Sequence, residues 1–188
     1  MTIQSMIASV LAISFFVVEP FMRKGATAKS FKTTASDKGS SILIVVMFWI
    51  VVILPPLLNF FQVGQITLSM VMWLGVLMML LSLGLRIWSM RVLGEYYTRT
   101  LRVTETQTIV TQGPYRVVRH PGYLATICVW IGFGLAIGNW LATLIVTLLL
   151  FGVYGYRIRA EEAMLINMFG EPYQEYRQRT WMLVPFIY

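Results

Sequence analysis

From Gly39 to Leu85 the chain carries no acidic or basic side chain. A helix crossing the hydrocarbon of a bilayer needs about 20 apolar residues, so this stretch holds two spans. A second uncharged stretch lies between Arg119 and Arg157, interrupted only by His120. Composition agrees: 57% of residues are hydrophobic and 12% charged, against roughly 45–50% and about 25% in soluble domains. An integral membrane protein is expected.

The remaining boundaries follow from charge and turn signals. A first apolar run, Ile3 to Val18, is closed by Glu19-Pro20. It lacks a basic leading region and a small-residue cleavage site, so it reads as a retained helix and not a signal peptide. The segment Arg23 to Ser40 carries five basic residues and reads as a loop. Pro55-Pro56 and Gly64 mark the bend between helix 2 (about Ser41–Phe60) and helix 3 (about Ile66–Met90). Arg91 to Arg119 is polar and basic, with an extended stretch expected over Arg102–Val110 and a tight turn at Gly113-Pro114-Tyr115. Gly138-Asn139 splits the second uncharged stretch into a tight hairpin, helices 4 and 5, each of roughly 17 residues and just able to span. The tail from Glu161 to Tyr188 is amphipathic, and Phe169-Gly170-Glu171-Pro172 ends a helical turn.

The expected architecture is an all-α integral membrane protein of about five transmembrane helices. It forms a single membrane domain over residues 1–188, with helices 1–3 in residues 1–90 and a catalytic part in residues 91–188. Orientation follows from the basic residues. With the N-terminus outside, the Arg23–Lys38 loop, the Arg91–Arg119 loop and the tail all face the cytoplasm. All 15 Lys and Arg then lie on or beside that face. The opposite turns, Gln62–Gln65 and Gly138–Asn139, carry no charge, and this arrangement requires an odd number of spans.

Several function classes drop out. The net charge of +7 sits beside apolar segments. That pattern fits anionic membrane lipids and not nucleic acid, because no basic run outside the spans is interleaved with stacking aromatics. Cys128, the single cysteine, excludes an intramolecular disulfide and reads as a small hydrophobe. One His, one Cys and scattered carboxylates make no zinc shell, so no metal is expected. Gly132, Gly134 and Gly138 follow no strand and read as close helix packing, not as a nucleotide loop. No signal for an oligomeric state is present.

Two polar clusters bracket the hairpin: Gly113 to Tyr123, and Arg157 to Glu162 followed by Phe169 to Tyr173. A hairpin returns its end to its beginning, so Arg119-His120 and Arg157–Glu162 are expected to be neighbours. Taken singly, arginines beside spans are usually topology anchors, and adjacent glutamates are usually solvated. Such glutamates otherwise pair with a nearby Arg, and the joint pattern says more. Arg157 and Glu161 are four residues apart, on one helix face, at an edge of the hydrocarbon where an ionised group is costly without a partner.

Gly113-Pro114-Tyr115-Arg116, then Arg119-His120-Pro121 and Tyr123, precede the hairpin. Arg157, Glu161-Glu162, Leu165, Phe169-Gly170, Tyr173 and Tyr176 follow it. This paired pattern resembles the isoprenylcysteine carboxyl methyltransferase family over about Tyr96 to Pro185, whereas the N-terminal helices match only in hydropathy. Phospholipid-amine methyltransferases and membrane sterol reductases share looser versions. The resemblance implies S-adenosylmethionine as methyl donor, held without a Rossmann domain between the loop before the hairpin and the tail after it. It implies cofactor contacts from Thr100, Gln107, Thr108, Ile109, Val110, Tyr115, His120, Pro121, Gly122, Tyr123 and Glu161, with Arg157 on the substrate carboxylate. Arg157 and Glu161 would carry the catalysis. Gln107 departs from the pattern, where the family often has His.

The chemistry is consistent. A carboxylate acceptor is already ionised at neutral pH, with a reference pKa near 4, so methyl transfer needs positioning and water exclusion more than a base. A guanidinium suits that task because it binds carboxylate bidentately and keeps its proton. The implied acceptor is a lipophilic or prenylated acid. Alternatives are N-methylation of a phospholipid amine, a nicotinamide-dependent membrane reductase, and a scaffold without catalysis.

Overall fold

The computed structural model describes residues 2–22, 39–94 and 108–186, with the side chains of residues 18–22 excepted. Among these, six α-helices run in the order α1 (Ile3–Met22), α2 (Ser40–Phe60), α3 (Ser69–Leu93), α4 (Pro121–Ile137), α5 (Trp140–Phe169) and α6 (Glu171–Arg179). A 3-10 turn over Gly113–Arg116 precedes α4, and the described residues form no strand.

The helices form where uncharged sequence has no alternative. Each backbone amide and carbonyl in hydrocarbon must be satisfied internally, which a helix does. Three helices, α2, α3 and α5, are long and apolar enough to cross a bilayer. The apolar part of α1 (Ile3–Val17) and all of α4 are shorter. Lipid-facing residues such as Ile42, Trp49, Leu81 and Leu148 are exposed, and the buried core centres on Trp130 of α4. Phe15, Phe48 and Phe133 meet Trp130 edge-on at 5.4–5.7 Å between ring centres.

Helix 2 has its expected bounds, but other features differ from the sequence reading. Glu19-Pro20 does not close α1, which continues to Met22, and Pro55-Pro56 lie inside α2. Proline is tolerated within membrane helices, where neighbouring helices and local adjustments re-satisfy the freed carbonyls. The α2–α3 bend therefore falls at Phe61 to Leu68, and α3 starts at Ser69, not Ile66. The Ile66 amide is engaged elsewhere, donating to the Gly138 carbonyl at 2.7 Å. Finally, α5 is 30 residues long, not about 17. At a 1.5 Å rise it is about 45 Å long, longer than the roughly 30 Å of hydrocarbon. Its last turns, carrying Arg157 to Glu162, thus project beyond the apolar bundle before Gly170, at φ 60°, ends the helix.

The glycines behave as helix-packing residues. A Cβ on Gly132 would stand 2.8 Å from the Gly75 carbonyl oxygen, and one on Gly75 would stand 2.6 Å from the Ala136 amide nitrogen. Such backbone contact is how helices associate in lipid, where no hydrophobic force separates them from acyl chains. Gly134 similarly abuts Thr143 of α5. Gly132→Val is expected to lower the melting temperature in detergent by about 5 °C, from overpacking of about 1–3 kcal/mol. An unchanged melt would show that the α3–α4 crossing has slack.

The bundle has two unlike ends. At one, the two uncharged turns are stitched together. Asn139 caps α5 by accepting from the Ala142 amide at 2.8 Å, and its side-chain amide donates to the Val63 carbonyl at 2.6 Å. Asn59 donates to the Ile137 carbonyl at 3.1 Å, and the Trp140 amide to that of Gly64 at 2.9 Å. Gln4 near the start of α1 donates to Ser69 at the start of α3, at 2.8 Å. The other end gathers the start of α2, the ends of α3 and α5, the start of α4, and α6.

Candidate functional site

The charged end is built by three elements meeting at the N-terminus of α4. The 3-10 turn leads into Val117–His120, and the segment after α6 lies alongside it. The Trp181 amide donates to the Val117 carbonyl at 2.9 Å, the Arg119 amide to the Trp181 carbonyl at 2.8 Å, and the His120 amide to the Met182 carbonyl at 3.2 Å. His120 then serves as N-cap residue of α4, with Pro121 at the first helical position, where its missing N–H costs nothing.

Glu162 of α5 is the hub of this junction. Its Oε1 pairs with Arg119 Nε at 2.7 Å and lies 3.3 Å from His120 Nε2, and its Oε2 pairs with Arg177 Nε of α6 at 3.1 Å. Arg119 also donates to the backbone carbonyls of Arg177 and Thr180. The Arg119 and Glu162 side chains are 6% and 9% exposed, so this is a buried network and not a surface pair.

Beside it runs a second polar chain. Arg157 Nε donates to the Tyr123 hydroxyl at 3.3 Å, and that hydroxyl donates to Glu161 Oε2 at 2.6 Å. The Arg157 Nη1 also donates to Ser40 Oγ at 2.7 Å and Ser41 Oγ at 3.1 Å, on the first turn of α2. Tyr123 stacks on the His120 ring, with planes 8° apart and centres at 5.6 Å, and leans on Tyr154. From α3, Arg86 reaches the Gly122 carbonyl at 2.8 Å and Thr126 Oγ1 at 2.6 Å, holding the first turn of α4.

On α6, burial pushes the Tyr176 phenol up to about 12 against the pull of Arg119, and burial raises Tyr173 further. Both stay neutral, and Tyr176 donates to the Tyr115 carbonyl at 2.7 Å. A cleft of about 450 Å³ opens between the loop residues Ile109, Thr111 and Arg116 and the α6 residues Pro172, Glu175, Tyr176 and Arg179.

The structure thus divides the residues singled out from the sequence. His120, Pro121, Gly122, Tyr123, Arg157 and Glu161 come together. The expected adjacency of Arg119-His120 and Arg157–Glu162 is present, and Arg157 and Glu161 meet through the Tyr123 hydroxyl. Tyr115 is buried on the 3-10 turn, with its hydroxyl 3.5 Å from the Ser89 carbonyl. Ile109 lines the cleft beside α6, Val110 is half-buried next to it, and Thr108 is exposed. Thr100 and Gln107, and most of the Arg102–Val110 stretch, lie outside the described residues.

Sequence reasoning placed Glu162 near Arg119-His120 but did not single it out as the hub, because Arg119 and Arg177 read as topology anchors. It also missed Ser40 and Ser41, whose only local signal is that of residues opening a helix. Residues before 91 therefore reach the charged end as well. Among the described residues, no group of three or more His, Cys, Asp or Glu could hold a metal.

These features define an integral membrane protein whose buried polar site lies at one end of a helical bundle. Comparison with known proteins places it more closely. The model of the phospholipid methyltransferase family matches residues 70–172, and the chain belongs to that family. It is 37% identical over 79 residues to protein-S-isoprenylcysteine O-methyltransferase of Schizosaccharomyces pombe, covering 42% of this chain and 34% of that one. It is 31% identical over 119 residues to an Oryza sativa subsp. indica protein named "Probable protein-S-isoprenylcysteine O-methyltransferase", covering 62% of each. The chain thus spans less than two thirds of the length of these relatives. The fold matches a solved structure of the eukaryotic intramembrane Ras methyltransferase ICMT (isoprenylcysteine carboxyl methyltransferase), with a TM-score of 0.68 at 23% identity. That match covers 96% of this chain and 64% of the other.

Proposed function

We propose that this chain is an S-adenosylmethionine-dependent O-methyltransferase acting on the carboxylate of a lipophilic substrate such as an isoprenylcysteine-type C-terminus. The observation that carries the reading is the Arg157–Tyr123–Glu161 chain, which holds a guanidinium and a carboxylate at one point of a buried, lipid-bounded site. The names of the relatives support the same chemistry.

The residues present fit the donor. S-adenosylmethionine is a cation with an aromatic base, and the site offers the half-buried Glu161 carboxylate and the stacked rings of His120 and Tyr123. When bound, it supplies an electrophilic methyl group. Arg157 orients the acceptor carboxylate through a charge-assisted contact. Glu161 balances the cationic donor, and Tyr123 keeps the two side chains in register. The Glu162 network fixes His120 and closes the tail over the site, excluding water. By this reading Thr100, Gln107, Thr108, Ile109, Val110 and Tyr115 extend the cofactor contacts along the loop.

The same reading sets five helices across the bilayer, with the N-terminus outside and the charged end cytoplasmic. It is supported by the clustering of basic residues at that end. A water-soluble donor then enters from the cytoplasm, and a lipid tail enters sideways between helices.

The test is calorimetric binding of S-adenosylmethionine and S-adenosylhomocysteine to the detergent-purified protein. Affinity of about micromolar is expected, weakened about tenfold by His120→Ala. Folded protein that binds neither ligand would remove the methyl donor and the reading with it. The family description favours one alternative, methylation of a phospholipid amine. An ammonium must first lose its proton, so a rate climbing steeply through the amine pKa would decide for that acceptor.

A further inference from the structure

The first turn of α2 lies far in sequence from the residues that carry the methyltransferase pattern, yet it reaches the centre of the site. Ser40 is fully buried, and its hydroxyl sits 2.7 Å from Arg157 Nη1, with Ser41 adding a second contact at 3.1 Å. Arg157 itself is 2% exposed. A long arginine side chain has several rotatable bonds to fix, and restricting them is costly in entropy. Two hydroxyls on one helical turn fix the guanidinium at one nitrogen while Tyr123 fixes it at Nε.

The chemical nature of these holders matters. A serine hydroxyl accepts from the guanidinium without bringing a negative charge to Nη1.

We infer that Ser40 and Ser41 are positioning residues for Arg157, forming a hydroxyl cradle that aims its guanidinium at the substrate carboxylate. This inference rests on the carboxylate reading given above. It assigns the N-terminal helices a part in acceptor recognition: α2 carries the cradle, and the remainder of that helix serves as its membrane anchor.

The experiment uses the full chain with N-acetyl-S-farnesylcysteine as acceptor and S-adenosylhomocysteine as ligand for the donor site. The Ser40→Ala/Ser41→Ala double variant is expected to raise KM for the acid about tenfold, the scale of a lost hydrogen bond to a charged group. The kcat should change little, and S-adenosylhomocysteine affinity should match that of the unaltered chain. Ser41→Thr retains the hydroxyl at the less buried position and should reverse most of the KM increase seen in Ser41→Ala. An unmoved KM in the double variant overturns the inference. So does a parallel fall in kcat and S-adenosylhomocysteine affinity, which marks a general packing role. If the unaltered chain binds S-adenosylhomocysteine but does not turn over the acid, the carboxylate reading itself fails and the cradle falls with it.

Discussion

Arg157→Ala should lower kcat/KM for a lipophilic acid by about a thousandfold, while S-adenosylhomocysteine still binds. Removing one partner of a buried, hydrogen-bonded charge pair costs about 2–5 kcal/mol, and about 4 kcal/mol corresponds to three orders of magnitude. The residue is 2% exposed and held by Ser40, Ser41 and Tyr123, so its guanidinium is already immobilised before a ligand arrives. Arg157→Lys keeps the charge but not the planar fork. It should recover only part of the loss, because an ammonium cannot satisfy Tyr123, the serines and a carboxylate in one plane. Steady-state kinetics with both variants, beside calorimetry on the donor site, provide the check. Full activity in Arg157→Ala would refute the clamp, and loss of donor binding would recast Arg157 as a structural residue.

The second large effect is expected at Glu162, and it concerns stability before activity. Glu162→Gln removes the charge that two arginines share, leaving Arg119 and Arg177 facing each other across a neutral amide. Breaking a buried pair by removing one partner costs about 3–5 kcal/mol. Arg177 is 32% exposed and solvent screens its share, so a loss near the lower figure, about 3 kcal/mol, is appropriate. For a chain of this size that corresponds to a melting temperature lower by about 10 °C. Because the same carboxylate holds His120 and α6 in place, affinity for S-adenosylhomocysteine should fall as well. A melt within about 2 °C of the unaltered protein would mean that the backbone pairing of Arg119 and His120 with Trp181 and Met182 suffices alone.

The contrast between Arg157 and Glu162 shows what sequence can disclose. Arg157 and Glu161 share a helix face by their spacing, and the uncharged hairpin returns them to His120, so that half of the site follows from periodicity and charge. Glu162 points to the other side of α5. The hairpin brings Arg119 near it from 43 residues back, but its second partner, Arg177, arrives on α6, and no local pattern encodes that meeting. Ser40 and Ser41 are hidden for the same reason, being 117 and 116 residues from Arg157. The fold was more legible, because the bilayer forces uncharged runs into helices. The errors at the prolines and at the end of α5 have different causes. Turn signals learned from water-exposed chain lose force where a broken helix would leave its carbonyls in hydrocarbon. Charged residues do not end a helix that has already left the hydrocarbon.

The stitched, uncharged end bears on how the protein is made. If the charged end is cytoplasmic, the α2–α3 and α4–α5 pairs each enter the bilayer as a hairpin, turn foremost. An ionised side chain carried to mid-bilayer costs about 2.5–3.5 kcal/mol on insertion scales, and neither turn has one to carry. Asn59 and Asn139, which must cross, find carbonyl partners in the opposite turn once both hairpins are in place. Each hairpin can thus be delivered separately, and the polar groups exposed at its tip become the contact by which the second hairpin finds the first.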